Sequence, residues 1–145
     1  MINSGKKFEK LIQESCKIQG IDCNRLKDAG WQGEETTRRF TSKNICDFTI
    51  FDGSRLFYIE AKSRKSSIRF DELTQHKALK KKDSSGYKNV RCGYLIEFSK
   101  AGSKYFMSVR DVDFVEGFCG KKSFNEKDIQ DYSYKLNIKD ALDAA

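Results

Sequence analysis

Asp47, Glu60 and Lys62 fall in two short segments, 44–51 and 55–62, that are rich in β-forming residues and separated by Asp52-Gly53. That dipeptide suits the positive φ angles of a two-residue hairpin turn, which would set Phe51 opposite Ser54, Asp47 opposite Tyr58 and Ile45 opposite Glu60. Side chains alternate between faces along a strand, so this register puts Asp47, Glu60 and Lys62 on one face, with Asp47 and Glu60 as diagonal neighbours. A four-residue turn would set Asp47 directly opposite Glu60 and keep the shared face, whereas an odd-length loop would separate them. Diagonal Cβ atoms lie roughly 7–8 Å apart, a gap two carboxylates can span by holding one divalent cation. Mg²⁺ is the expected cation, with Mn²⁺ as its substitute. Two carboxylates this close in a half-buried sheet are costly without a compensating cation, and Lys62 brings a single charge. The chemistry that fits is phosphodiester hydrolysis, in which the cation polarises a phosphate and acidifies a bound water while the lysine orients that water or stabilises developing charge. The alternative is a weak ion-pair ladder on an exposed sheet; Leu56 and Tyr58, expected on the same face, argue against it.

The surrounding elements follow from periodicity and punctuation. Phe8, Leu11, Ile12 and Cys16 form one helical stripe, which predicts a helix over 4–19 that stops at Gly20. At 100° per residue Glu9 borders that stripe, roughly 85° from its centre, whereas Glu14 points to solvent at roughly 135°. A short strand is expected within 20–26, and 28–43 has no clear period and reads as a loop, hairpin or short stalk. A helix is expected from Phe70 to Asp83, a buried strand over 90–98 and its hairpin partner over 104–109. Asp111 should cap a short helix ending at Phe118, and a last helix is expected near 138–142. The order of elements implies an α/β fold with a mixed central sheet flanked by helices, in a single domain covering 1–145.

Composition narrows the function classes. Hydrophobic residues reach 38%, enough for a core, while 34% charged residues and no long apolar run exclude a membrane-spanning helix. The formal charge of +7 favours a polyanionic partner, foremost nucleic acid. Between Lys62 and Lys82 there are eight basic residues against two acids, a cluster that begins on the strand of Glu60. Arg64, Lys65 and Lys77 from this cluster, with Arg25, Lys27, Arg38, Arg39 and Lys43 upstream, are the expected contacts to DNA phosphates. Five cysteines without a C-x-x-C pair predict neither a disulfide framework nor a zinc site. With a polar N-terminus they point to a reducing, cytoplasmic setting.

The spacing Asp47, twelve residues, Glu60-Ala61-Lys62 resembles the PD-(D/E)xK motif of the restriction-endonuclease-like nuclease superfamily, and the order of elements resembles its αβββαβ core. Within that superfamily the chain resembles the RecU-type Holliday junction resolvases, through Gly5-Lys6-Lys7-Phe8-Glu9, Ile59-Glu60-Ala61-Lys62, Phe70 through Gln75-His76, and Tyr94-Leu95-Ile96-Glu97-Phe98-Ser99. The resemblance implies a catalytic set of Asp47, Glu60, Lys62, Glu9 and Gln75, and a metal held by Asp47, Glu60 and Ala61. It implies a homodimeric Mg²⁺-dependent endonuclease that resolves four-way DNA junctions. Two departures stand out. Cys46 replaces the proline that usually precedes the first aspartate, and the segment before Asn44 is shorter than the stalk of those resolvases. Two other readings keep the same residues: an endonuclease of linear duplex DNA, as in restriction or repair, and a non-catalytic DNA-binding protein. His76, the only histidine, is expected to be incidental, and Trp31 either stacks on bases or anchors its loop.

Overall fold

The computed structural model describes residues 4–26 and 45–134. The predicted loop or stalk 28–43, the basic residues Lys27, Arg38, Arg39 and Lys43, Trp31, and the predicted helix near 138–142 lie outside the described residues.

An amphipathic helix, α1 (Ser4–Ile18), precedes a short edge strand, β1 (Asp22–Arg25), and a hairpin of β2 (Phe48–Phe51) and β3 (Leu56–Arg64). A three-residue strand, β4 (Ser67–Arg69), and a 3-10 turn, Phe70–Glu72, lead to α2 (His76–Ser84). Then come β5 (Val90–Phe98), β6 (Ser103–Ser108), α3 (Val109–Cys119), β7 (Ser123–Asn125) and β8 (Ser133–Tyr134). Among the described residues the main sheet has six strands in the order β1-β2-β3-β5-β6-β8. β3 and β5 run parallel, joined by the α2 crossover, and the other pairs are antiparallel. β4 and β7 make a separate two-stranded ribbon. The fold is thus α/β, a mixed central sheet flanked by helices, as the sequence predicts.

β3 is the axis of the molecule, because alternate residues serve two different cores. Phe57 and Ile59 join Phe8, Ile12 and Cys16 of α1, together with Phe48, Ile50 and Leu95. On the other face Cys92, Tyr94 and Ile96 of β5 pack with Leu79 of α2, Val112 and Val115 of α3, and Phe124 of the ribbon, with Tyr58 at the margin. Period-2 alternation therefore puts Glu60 and Lys62 on the α2–α3 face.

Four local expectations are corrected. The β2–β3 turn has four residues, since Phe51 pairs with Leu56 rather than facing Ser54. The reason is Asp52, whose Oδ1 accepts the backbone N–H of Ser54 (3.0 Å) and of Arg55 (2.7 Å), while Oδ2 accepts the Arg55 guanidinium (2.7 Å). Burial opposes ionisation of Asp52, but these bonds outweigh it and hold the carboxyl down at about 2. The helix expected from Phe70 begins only at His76, after the separate 3-10 turn. The cap of α3 is Ser108 and not Asp111. The Asp111 N–H donates to Ser108 Oγ (3.1 Å) and Asp111 Oδ2 accepts the Ser108 N–H (3.0 Å), which starts the helix three residues early. Finally, β4, β7 and β8 were not foreseen; each has three residues or fewer and pairs with a distant segment.

All five cysteines are free thiols, three of them buried. Among the described residues no helix is long and apolar enough to cross a membrane.

Candidate active site

Glu60 lies in the middle of β3 and is 6% exposed, with Ser63 the only other buried polar or charged side chain among the described residues. Its Oε2 is buried without a hydrogen-bond partner, the one such side-chain atom found among the described residues. Burial is the main force on this carboxyl; Lys62 pulls its pKa down and Asp47 pushes it up, and the net result is a rise to about 7. Asp47, Glu60 and Lys62 are therefore close enough to feel one another, as the hairpin argument expects.

The route by which Asp47 arrives is not simple alternation. Its N–H donates to the Ile59 carbonyl (3.0 Å), while Phe48 also takes Ile59 as its register partner. Two residues facing one is the arrangement of a β-bulge, a device that re-aims side chains beside functional sites. The packing agrees, because Cys46 belongs to the α2–α3 core and Phe48, two residues on, to the α1 core. Ala61 pairs with Leu95 of β5 but lies beyond the last β2–β3 register pair, Phe48 with Ile59, and on that side Asp47 Oδ2 accepts its N–H at 2.9 Å. Asp47 is thereby locked to the residue between Glu60 and Lys62.

Glu9 arrives elsewhere. Its carboxylate receives Arg25 Nε at 3.0 Å and Nη2 at 3.4 Å, while Arg25 Nη1 donates to the Leu26 carbonyl and to that of Asp47 (3.4 Å). The structure thus links Glu9 to the backbone of Asp47 through Arg25 and does not bring it to Glu60. Arg25, expected to meet DNA, is engaged in that bridge and also lies over the Phe48 ring. Glu14 is exposed, as predicted. Gln75 is half-buried at the N-cap position of α2, and its side chain makes no capping bond.

A second polar group went unrecognised in the sequence. Tyr94, the register partner of Glu60 on β5, is fully buried, and its hydroxyl lies 2.8 Å from His76 Nδ1. His76 Nε2 is 2.8 Å from Asp113 Oδ1, and Lys80 Nζ is 2.9 Å from Asp113 Oδ2. Burial, then the charges of Glu60 and Asp113, push the Tyr94 hydroxyl well above its ordinary value. Burial pulls the Asp113 carboxyl upward too, but bonds from Lys80 and His76 prevail and leave it below the usual value. His76 is thus a bridge between α2, β5 and α3. A lone histidine on a polar helix gives no hint of partners 18 and 37 residues away.

Among the described basic residues of the predicted DNA track, Arg64 leans on Glu72 (3.5 Å), whereas Lys65 and Lys77 are exposed without an ion pair among the described residues.

No group of three His, Cys, Asp or Glu side chains able to hold a metal occurs among the described residues. A carboxylate pair with one unpartnered oxygen still suits a hard, oxygen-seeking cation such as Mg²⁺, which keeps several waters and is commonly held by one or two carboxylates plus substrate phosphate.

No protein-family model matches the chain, and no curated protein matches it. A solved structure does: Hjc of Archaeoglobus fulgidus, a Holliday junction resolvase from an archaeal hyperthermophile, superimposes with a TM-score of 0.60 over 95% of this chain and 98% of that one. The two are 16% identical, so the likeness is one of fold.

Proposed function

We propose, from a fold shared with an archaeal Holliday junction resolvase, that this chain is a Mg²⁺-dependent, structure-specific endonuclease that cuts four-way DNA junctions as a homodimer. The observation that carries the reading is the buried, unpartnered Glu60 Oε2 beside Asp47. A protein gains nothing in stability by burying such an oxygen, at a cost of about 1–3 kcal/mol or more. A ligand that supplies positive charge accounts for it.

In this reading Asp47, Glu60 and the backbone of Ala61 hold the cation. Bound there, Mg²⁺ would supply Lewis-acid polarisation of the scissile phosphate and a more acidic water. The chain's own residues do the rest. The Ala61 N–H fixes the rotamer of Asp47, so the carboxylate pair is set before substrate arrives. Lys62, one alternation along β3 from Glu60, orients the attacking water or stabilises charge developing on the phosphate. Gln75, at the start of α2, positions water or phosphate. Glu9, through Arg25, supports the strand end that carries Asp47. Arg64, Lys65 and Lys77 contact backbone phosphates. Two sites related by a two-fold axis give paired, symmetric cuts, which is the role of the homodimer. The RecU-type resemblance of the sequence and the Hjc-like fold both support junction DNA as the substrate.

The test compares cleavage of a synthetic four-way junction with cleavage of its linear arms in Mg²⁺, for wild type and for Asp47→Ala. Wild type is expected to cut the junction at least ten-fold faster, and the variant to lose on the order of 10³-fold or more while still binding. Equal cutting of linear arms would favour a restriction- or repair-type enzyme. No cutting by wild type would leave a DNA-binding protein, and undiminished cutting by Asp47→Ala would refute the site.

A further inference from the structure

Beyond the carboxyl ends of the parallel strands β3 and β5 lies a cleft of about 600 Å³, lined by Lys65, Lys100 and Lys127, with Phe98 and Ala101 as apolar surface and Glu126 as its one acid. Three distant segments converge there, and each is pinned. The Ser99 N–H donates to the Arg64 carbonyl (2.8 Å) and the Lys100 N–H to that of Lys65 (3.2 Å), prolonging the β3–β5 pairing into the loop. Ser67 pairs with Asn125 in the β4–β7 ribbon. Asp128 accepts the Asn125 N–H at 2.9 Å and its own N–H donates to Asn125 Oδ1 at 3.3 Å, fixing the turn that carries Glu126 and Lys127. Ser103 Oγ donates to the Glu126 carboxylate. The three lysines are exposed and form no ion pair among the described residues.

Elsewhere several basic residues are spent within the fold: Arg25 on Glu9, Arg55 on Asp52, Lys80 on Asp113 and Lys121 on Asp128. Three unspent ammonium groups around a preformed concave surface make an anion site. Its place on the chain identifies the anion. Lys65, the residue after the end of β3, follows Glu60 by five positions, roughly 16 Å at 3.3 Å per residue. A DNA strand advances about 3.4 Å along the helix axis per nucleotide while it winds about that axis, so a group that far away meets a phosphate beyond the immediate neighbours of the one at Glu60.

We propose that this cleft is a second phosphate-holding site, which grips the DNA backbone away from the scissile phosphate and sets the path of one arm. It rests on the nuclease reading for its substrate, and it adds Lys100 and Lys127 to the residues that meet DNA. The chemistry it recognises is a phosphoryl group, which a free nucleotide or inorganic phosphate also carries, and the experiment separates these sources.

Binding of a four-way junction is measured by fluorescence anisotropy without Mg²⁺, over a series of salt concentrations, for wild type, the K100Q/K127Q double variant and K88Q as a control at the opposite end of β5. Each lost phosphate contact lowers the slope of log K against log salt by about 0.9, so the double variant should lose about 1.8 per site and bind about ten-fold more weakly at low salt, with K88Q unchanged. A slope equal to that of wild type would overturn the proposal. In parallel, the amide resonances of Lys100 and Lys127 are followed during titration with the junction, with thymidine monophosphate and with inorganic phosphate. Shifts at micromolar junction but only at millimolar small anion support a backbone site, and tighter response to the free nucleotide or phosphate overturns it. A flattened slope in a protein that cuts nothing in Mg²⁺ would uphold the cleft while refuting the nuclease reading, so the two fail separately.

Discussion

The two faces of β3 carry residues from one nine-residue strand to opposite ends. Toward α1 the strand sends Phe57 and Ile59 into a core of Phe8, Ile12, Cys16, Phe48 and Ile50, closed and apolar. Toward α2 and α3 it sends Tyr58, Glu60 and Lys62, and there the neighbours include Tyr94, His76 and Asp113 in a polar chain. One face maximises burial of hydrocarbon. The other holds a carboxylate at a solvation cost, with its Oε2 unpartnered. The contrast separates residues that make the fold from residues that the fold tolerates for another purpose.

The comparison breaks most visibly on the apolar face. Phe57→Ala should cost about 3–5 kcal/mol by removing a fully buried ring that meets Phe106 edge-on at 6.4 Å. Urea unfolding reads this directly, and the loss should be the same with or without Mg²⁺. A loss that Mg²⁺ repairs would mean that the two faces are not energetically distinct.

On the polar face the expected sign is reversed. The Glu60 carboxyl rises from an ordinary 4.5 to about 7, so between those pH values the folded chain keeps a proton that the unfolded chain has released. Stability therefore falls as pH rises through that window, and the full penalty is present above it. Glu60→Gln removes the penalty. In metal-free buffer the variant should gain about 2–3 kcal/mol over wild type on going from pH 4 to pH 8. Mg²⁺ should raise the melting temperature of wild type at pH 8 and leave that of E60Q unmoved. Parallel stability curves for the two proteins would show that Glu60 is not strained by burial.

A smaller effect tests the polar chain. His76→Ala leaves the Tyr94 hydroxyl buried without its partner and should cost about 1–3 kcal/mol. Adding Tyr94→Phe removes the orphan and should recover part of that loss, a coupling that a double-mutant cycle measures. Additive costs would mean that the 2.8 Å contact contributes nothing of its own.

Much of this was written in the sequence, because it depends on short range. The helix of Phe8, Ile12 and Cys16 follows from 3.6-residue periodicity, and the segments flanking Asp52-Gly53 declare a hairpin. Proximity of Asp47, Glu60 and Lys62 is what an even turn implies, whether of two residues or four, but the bulge that aims Asp47 at Ala61 is not carried by parity. The turn has four residues rather than two because Asp52 acts through its side chain, a choice that dipeptide statistics do not carry.

Tertiary structure decided whatever required a partner from far away. The bulge at Asp47 and Phe48 exists because Cys46 and Phe48 are drawn into cores on opposite faces of the sheet. Glu9, correctly expected at the border of its helix, met Arg25 because β1 ends beside it. His76 became a bridge only when α3 brought Asp113 to it, and Lys100 and Lys127 joined Lys65 only when the β4–β7 ribbon closed over the end of β3. Periodicity and turn chemistry are properties of neighbouring residues. Which charge meets which across 18, 37 or more residues is set by how whole layers pack, and that is the part a single sequence leaves open.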